Sequence, residues 1–294
     1  MTAGGSVPGG GLVLVATPIG NLGDLSPRAV AALRDADLVC CEDTRRARAL
    51  LSAAGLHAGA RLRSLHAHNE VSRIPEVLAA ASAGRTVAVV SDAGTPAISD
   101  PGARLVAAAA RAGITVSVVP GPSAVLAALV VSGLPTDRFC VEGFLPRSGR
   151  ARHERLEALV ADPRTTVVLE SPRRLASTLA DLAALVPTRE VAVCRELTKL
   201  HEEVWRSSAS EAAAHFADLS VRGEVVVVVA GREAAPHAGP AEASEAALAE
   251  STAAALADGL SVRDAAAAVS AELGVSRRRA YAAAVAARGV RRPG

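Results

Sequence analysis

Short β-branched runs alternate with Ala-, Leu- and Arg-rich stretches of helical length along most of this chain. That rhythm restricts it to an α/β fold whose first part is an open, mainly parallel sheet covered by helices. The expected strands of this part are Leu12 to Ala16, Leu38 to Cys41, Arg61 to Leu65, Thr86 to Val90 and Thr115 to Val119. Helices are expected over Ser26 to Ala36, Arg73 to Ala83 and Ala103 to Ala112. In such a sheet, ligands gather at the carboxyl ends of the strands.

A second α/β part begins after Pro120-Gly121-Pro122-Ser123, with Ser123 placed to cap a helix from Ala124 to Val131. Its expected strands are Arg138 to Val141, Thr165 to Leu169, Val191 to Cys194, Glu203 to Arg206 and Glu224 to Ala230. The tight Leu200-His201-Glu202 connection implies a hairpin, so this sheet is expected to be mixed. The boundaries expected from composition are a disordered tail over 1–11, domains over 12–121 and 122–231, a linker over 232–247 and a helical module over 248–294. In the module, Ser261 and Ser276 would cap two helices separated at Gly274, as in a helix-turn-helix pair.

Half of the 294 residues are apolar but only 2% are aromatic, so the core must be built from Val, Leu and Ala. A broad aromatic platform for stacking nucleic-acid bases is excluded on the same ground. The net charge of +2 favours no class of partner, but the basic residues are nearly all Arg, whose rigid fork suits phosphates. Cys40, Cys41, Cys140 and Cys194 lie in or beside strand-like runs without a CxxC pair, which points to reduced core thiols and a cytoplasmic protein. No apolar run of membrane-spanning length and no signal peptide is present, so no membrane association is expected.

Chemistry concentrates in the loops. Ser91 to Gly102 reads SDAGTPAISDPG directly after a buried-type strand, and its Gly and Pro residues fix backbone that can hug a ligand. The first strand ends in Thr17-Pro18-Ile19-Gly20 without a GxGxxG turn, which excludes a conventional dinucleotide site. The second ends in Glu42-Asp43-Thr44-Arg45-Arg46, read equally well as a salt-bridged helix start or as a catalytic edge. His66-x-His68-Asn69-Glu70 is a candidate for substrate contacts, and no third ligand stands at metal-binding spacing beside its two histidines.

In order, TPIGNLGD, EDTRR, SDAGTPAISDPG and VPGPSA, followed by GLPTDRFCVEGFLPR, ESPRRL, CRELTKLHEE and RGEVVVVVAG, resemble the tetrapyrrole-methylase superfamily. More narrowly, they are similar to its bacterial small-subunit (16S) rRNA (cytidine-2′-O)-methyltransferases. The resemblance covers roughly residues 12–231 and implies a two-domain fold with S-adenosyl-L-methionine in the cleft between the domains. Cofactor contacts are then expected at Thr17, Pro18, Asp92, Ala93, Gly94, Thr95, Pro120, Gly121, Ser123, Ala124 and Leu169. One departure is that Val168 and Leu169 stand before Glu170 where the family pattern suggests an aromatic ring.

Ribose hydroxyls are poor nucleophiles at neutral pH, so a proton acceptor is required. The candidates are Glu42, Asp43, Glu170 and Glu196, with Lys199 as a charge-positioning group. RNA contacts are expected from Arg45, Arg46 and Arg48, from Arg147, Arg150, Arg152 and Arg155, and from Arg277, Arg278 and Arg279. The last three crowd the amino end of a helix, where basic charge opposes the dipole and so needs a compensating anion. The resemblance implies 16S rRNA within the small ribosomal subunit as partner, and a homodimer. The rival activities are methylation of a tetrapyrrole or corrinoid precursor or of a diphthine-type substrate, and a non-catalytic ribosome-assembly role.

Overall fold

The computed structural model describes residues 10–232, 245–273, 275 and 277–289. Two compact units divide the chain, Met1–Ala234 and Ala235–Gly294.

The first unit holds two five-stranded sheets. Strands β1 (Gly11–Val15), β2 (Leu38–Cys41), β3 (Leu62–Ser64), β4 (Thr86–Val90) and β5 (Val116–Val119) form one sheet in the order β3-β2-β4-β1-β5. Every pairing in it is parallel, as the alternation of strands and helices requires. Helices α1 (Pro27–Asp35), α2 (Thr44–Ala53), α3 (Glu70–Ser82) and α4 (Ala103–Arg111) make the crossovers. Alternate side chains face opposite layers: Val13, Val39 and Val90 pack with Leu33 and Leu51 on one face, and Leu12, Val87 and Val89 with Val77 and Leu105 on the other.

The second sheet runs β6-β7-β10-β8-β9, from β6 (Phe139–Phe144), β7 (Thr165–Glu170), β8 (Glu190–Arg195), β9 (Glu203–Ser208) and β10 (Val225–Val229). It is mixed, as expected: β6 and β7 are parallel, while β10 runs antiparallel to β7 and β8, and β8 to β9. Helix α5 (Ala124–Ser132) packs on one face, with Val125, Ala128 and Leu129 against Val167, Val226 and Val228. Helices α6 (Gly149–Ala161), α7 (Leu175–Leu185) and α8 (Ala209–Phe216) cover the other through Leu156, Leu179, Leu182 and Phe216. Ser123 caps α5 by accepting from the Leu126 amide at 3.4 Å. The all-Val β10 is buried on both faces, which is why it shows no polar alternation.

Three differences from the sequence reading matter for the site. Strand β6 extends past Val141 through a bulge at Gly143 (φ +70°), reaching Phe144. Residues 149–155, for which no helix was expected, form the first turns of α6. Helix α3 begins at Glu70, three residues before the expected Arg73, because Asn69 Oδ1 closes the preceding turn on the His66 amide at 2.7 Å.

The second unit contains α9 (Glu245–Ala257), α10 (Val262–Leu273) and α11 (Arg277–Gly289) around Leu248, Val269, Val275 and Ala284. The expected helix pair is thus joined by a third helix that begins inside the stretch assigned to a linker. Ser261 caps α10 as expected, accepting from the Asp264 amide at 3.2 Å. Gly274, Ser276 and most of the expected 1–11 tail lie outside the described residues.

Candidate functional site

Three loops at the carboxyl ends of β1, β4 and β5 are tied together by their own backbone. Thr17 and Gly94 exchange amide-to-carbonyl bonds of 2.9 and 3.1 Å, joining the first loop to the second. Ser91 Oγ donates to the carbonyls of Ala93 and Gly94, and Thr95 Oγ1 donates to the Pro122 carbonyl at 3.1 Å, closing on the third. Gly94 holds φ +79°, a conformation that glycine enters without steric cost. A Cβ on Gly121 would press on Ala16 at 3.0 Å.

The loops wall a cavity of about 320 Å³ against the second sheet. Ala93, Gly94, Thr95, Ser123, Ala124 and Leu169 line it, all six expected from the sequence. Ile98, Ser99 and Asp100, from the loop read as hugging a ligand, line it too, with Val225 of β10, while Phe144, Ser171 and Pro172 were missed. Phe144 pairs in register with Leu169, so a ring does stand at this wall, supplied by the neighbouring strand. A second cavity, about 500 Å³, shares Ile19, Ala93 and Glu224 with the first and adds Thr17, Pro18, Asp92, Arg46 and Lys199. Pro120 and Gly121 line neither cavity.

Most of the expected proton acceptors are already engaged. Asp43 caps α2 and accepts from Arg45, whose guanidinium holds the carboxyl well below its ordinary range. Glu170 is fully buried and accepts from Thr178 Oγ1 at 2.6 Å and from the Ser171 amide at 2.8 Å, with the Arg174 guanidinium at 3.3 Å. It also lines the first cavity, with both its oxygens already held by these partners. Glu196 accepts from Lys199 Nζ and the Glu224 amide, both at 2.9 Å, and the Lys199 bond holds its carboxyl low. Burial works against charge on Lys199, but Glu196 and Glu224 together outweigh it and raise its pKa.

Glu42 differs: burial, then the nearby Asp92, pushes its carboxyl up. Asp92 accepts from the Asp43 amide at 3.0 Å and faces Arg46 at 3.3 Å. Asp100 is raised further, from 3.8 to about 6, by burial and then by Glu42 and Asp92, against a bond from Ser91 that lowers it. Among the described residues Asp100 is the one cavity-lining carboxylate so elevated, and no sequence signal separated it from the rest of its loop.

Backbone strain falls at the same place. The non-glycine residues in the left-handed region among the described residues are Ala97 and Ser99, in the loop before Asp100, and Glu196 and Thr198, beside Lys199. Such conformations cost about 1–3 kcal/mol each and persist where the surroundings impose them, commonly at functional sites.

Glu70 is not a substrate contact. Its buried carboxylate accepts from the amides of Gly102, Arg104 and Leu105 at 3.0, 3.0 and 3.1 Å, capping α4 from another helix. The two histidines meet edge-on with centroids 6.0 Å apart. Burial raises the Cys40 and Cys194 thiols to about 12 and that of Cys41 to about 11, so these thiols stay protonated.

Of the arginines, Arg45, Arg46, Arg48, Arg147, Arg150 and Arg155 are exposed. Arg45 pairs with Asp43, Arg150 with Glu154 and Arg155 with Glu142. Arg152 corrects the sequence reading: it is buried, donating to Asp181 at 2.7 Å, Thr178 at 3.0 Å and the Pro146 carbonyl at 3.2 Å. Replacing it with Ala strands the buried Thr178 hydroxyl and leaves the half-exposed Asp181 unpaired, and should cost about 1–3 kcal/mol by chemical denaturation, with affinity for RNA unchanged. A fall in RNA affinity without loss of stability would contradict this placement. Arg279 is half-buried, and the side chains of Arg277 and Arg278 lie outside the described residues.

Two α/β sheets facing across an apolar cavity, with strained and glycine-bearing loops at the strand ends, define a small-molecule-dependent α/β enzyme. Residues 11–213 match the family model described as tetrapyrrole (corrin/porphyrin) methylases, and the chain belongs to that family. A protein named ribosomal RNA small subunit methyltransferase I from Mycobacterium tuberculosis is 54% identical over 230 residues, covering 78% of this chain and 80% of the relative. One of the same name from Escherichia coli O157:H7 is 43% identical over 235 residues, covering 79% and 82%. Among solved structures, uroporphyrin-III C-methyltransferase from Thermus thermophilus aligns with a TM-score of 0.53 at 23% identity, covering 76% of this chain and 94% of that one. A diphthine synthase aligns at 0.57 and 16%, covering 74% and 89%. These two share the fold.

Proposed function

We propose that this chain transfers a methyl group from S-adenosyl-L-methionine to small-subunit rRNA, and that the acceptor is the 2′-oxygen of a cytidine in the decoding region of 16S rRNA. The observation that carries this reading is the 43–54% identity, over more than three quarters of the chain, to relatives named for small-subunit rRNA methylation. The first cavity fits the cofactor: Ile19, Val125, Leu169 and Phe144 offer apolar walls to a purine, and the bare Gly94 lets backbone approach an amino-acid moiety. When bound, the cofactor supplies an electrophilic methyl on a sulfonium centre.

The chain's own residues do the rest. The tied loops hold donors and acceptors in place before binding, so positioning costs little at the moment of reaction. Asp100 accepts the proton of the attacking hydroxyl. It is the cavity-lining carboxylate whose affinity for a proton is raised toward neutrality, whereas Asp43, Glu170 and Glu196 are committed to partners. Glu42 acts on Asp100 as a neighbouring charge, a positioning role.

Exposed Arg45, Arg46, Arg147 and Arg150 supply phosphate contacts, joined by Arg277, Arg278 and Arg279 of the helical unit. The substrate is the assembled small subunit in the cytoplasm. A homodimer accords with α5, which is apolar on every side yet leaves Leu126 and Val130 exposed at 51% and 73%. No helix among the described residues is long and apolar enough to cross a membrane.

The test is methyl transfer from labelled cofactor to small subunits lacking the modification, read by mass spectrometry of the nucleosides. 2′-O-methylcytidine is expected; methyl on the cytosine ring, or no transfer, would overturn the reading.

A further inference from the structure

The second cavity adjoins the first at Glu224, and its use follows from what meets there. Lys199 Nζ stands 3.4 Å from Glu224 Oε2, which places a cation and a carboxylate side by side on the shared rim. The side chain of Glu224 is 63% exposed, and the cavity below is lined by apolar residues of α2, Leu50 and Ala53 among them. No aromatic ring lines it, so a base entering it is held by its edge rather than by stacking.

The loop that carries Lys199 is built at a cost. Glu196 and Thr198 hold φ of +49° and +68°, and Thr198 Oγ1 is buried without a hydrogen-bond partner. Lys199 crosses directly over Gly20, where a Cβ would overlap its Cγ. The strained loop and the bare glycine hold the Lys199 ammonium between two carboxylates, Glu196 at 2.9 Å and the more exposed Glu224 at 3.4 Å.

Resting on the function proposed above, we propose that the second cavity receives the base of the target nucleotide and that the Lys199–Glu224 pair selects cytosine over uracil there. Cytosine presents an amino donor beside ring-nitrogen and carbonyl acceptors, matching a carboxylate beside an ammonium. Uracil presents a carbonyl oxygen where cytosine has its amino group, which sets acceptor against carboxylate. A site built on such a bond rejects the mismatched base because its own polar group is then left unpaired.

The experiment compares kcat/KM on small subunits reconstituted with cytidine or uridine at the target position. The wild-type protein should prefer cytidine, and Glu224→Gln, whose amide can donate as well as accept, should narrow the preference about ten-fold or more. A second variant, Leu50→Trp, fills the cavity: it should abolish transfer while S-adenosylhomocysteine affinity, measured by calorimetry, stays at the wild-type value. An unchanged cytidine-to-uridine ratio in Glu224→Gln, or normal turnover by Leu50→Trp, would overturn the assignment of the cavity while leaving the methyltransferase reading intact. Absence of ribose methylation by the wild-type protein would overturn both.

Discussion

Replacing Asp100 with Asn should lower kcat about 10²–10⁴-fold, the usual contribution of a general base, while the protein still binds S-adenosylhomocysteine. The pH profile gives an independent readout. With the carboxyl raised to about 6, wild-type turnover should rise through pH 6 and level off above it, and this rise should vanish in the Asn variant. Stability should move the opposite way. Because the folded protein holds this proton more tightly than the unfolded chain does, stability from Asp100 is complete below about pH 4 and is lost as pH rises through 6. At neutral pH the variant should therefore be more stable than wild type, by about 1–2 kcal/mol once solvent screening is allowed for. A variant with intact kcat but weakened cofactor affinity would instead make Asp100 a cofactor ligand.

The second large effect is structural. Glu70→Ala removes one acceptor shared by three amides at the start of α4, two of them on the buried residues Gly102 and Leu105. Gly102 has no side chain with which to cap the helix itself. Loss of the cap together with orphaned buried donors should cost about 3 kcal/mol. That is a fall in melting temperature of roughly 6–12 °C for a unit of this size. Glu70→Gln keeps an acceptor oxygen but gives up the charge facing the helix dipole, and should lose only about 1 kcal/mol. Wild-type melting of Glu70→Ala would show that the cap contributes nothing. Since α4 begins where the strained loop ends, turnover should fall with stability in the Ala variant and recover in the Gln variant.

The strands of both sheets were legible because β-branched runs bounded by Gly and Pro leave few alternatives, and their order along the chain indicated one parallel and one mixed sheet. Six of the eleven expected cofactor residues line the first cavity and three more the second, because loops at strand ends advertise themselves by Gly, Pro and Asp. What failed was any inference that needed a partner distant in sequence. Arg152 was expected among the RNA-contacting arginines, yet its fate is set by Asp181 and Thr178 on another helix. Glu170 was one of several candidate bases, and that its oxygens are held by Thr178 and Arg174 depends on residues of the following helix. Phe144 was invisible because a bulge at Gly143 carries its strand past the point where the alternation ends. Asp100 is distinguished from Asp92 only by burial and by which neighbours face it, neither of which composition records.

The position of β10 also fixes when the second sheet can be completed. It is the last strand of the sheet to leave the ribosome, yet it lies at the centre, bonded to β7 on one side and β8 on the other. Until it emerges, β6–β7 and β8–β9 are two separate ribbons with their inner edges unpaired. Val225 and Val226 also line the first cavity, so no shorter nascent chain carries a whole binding site. Assembly of this sheet is therefore a late, long-range event, and a stalled or truncated chain would expose two sticky edges rather than a partly working enzyme.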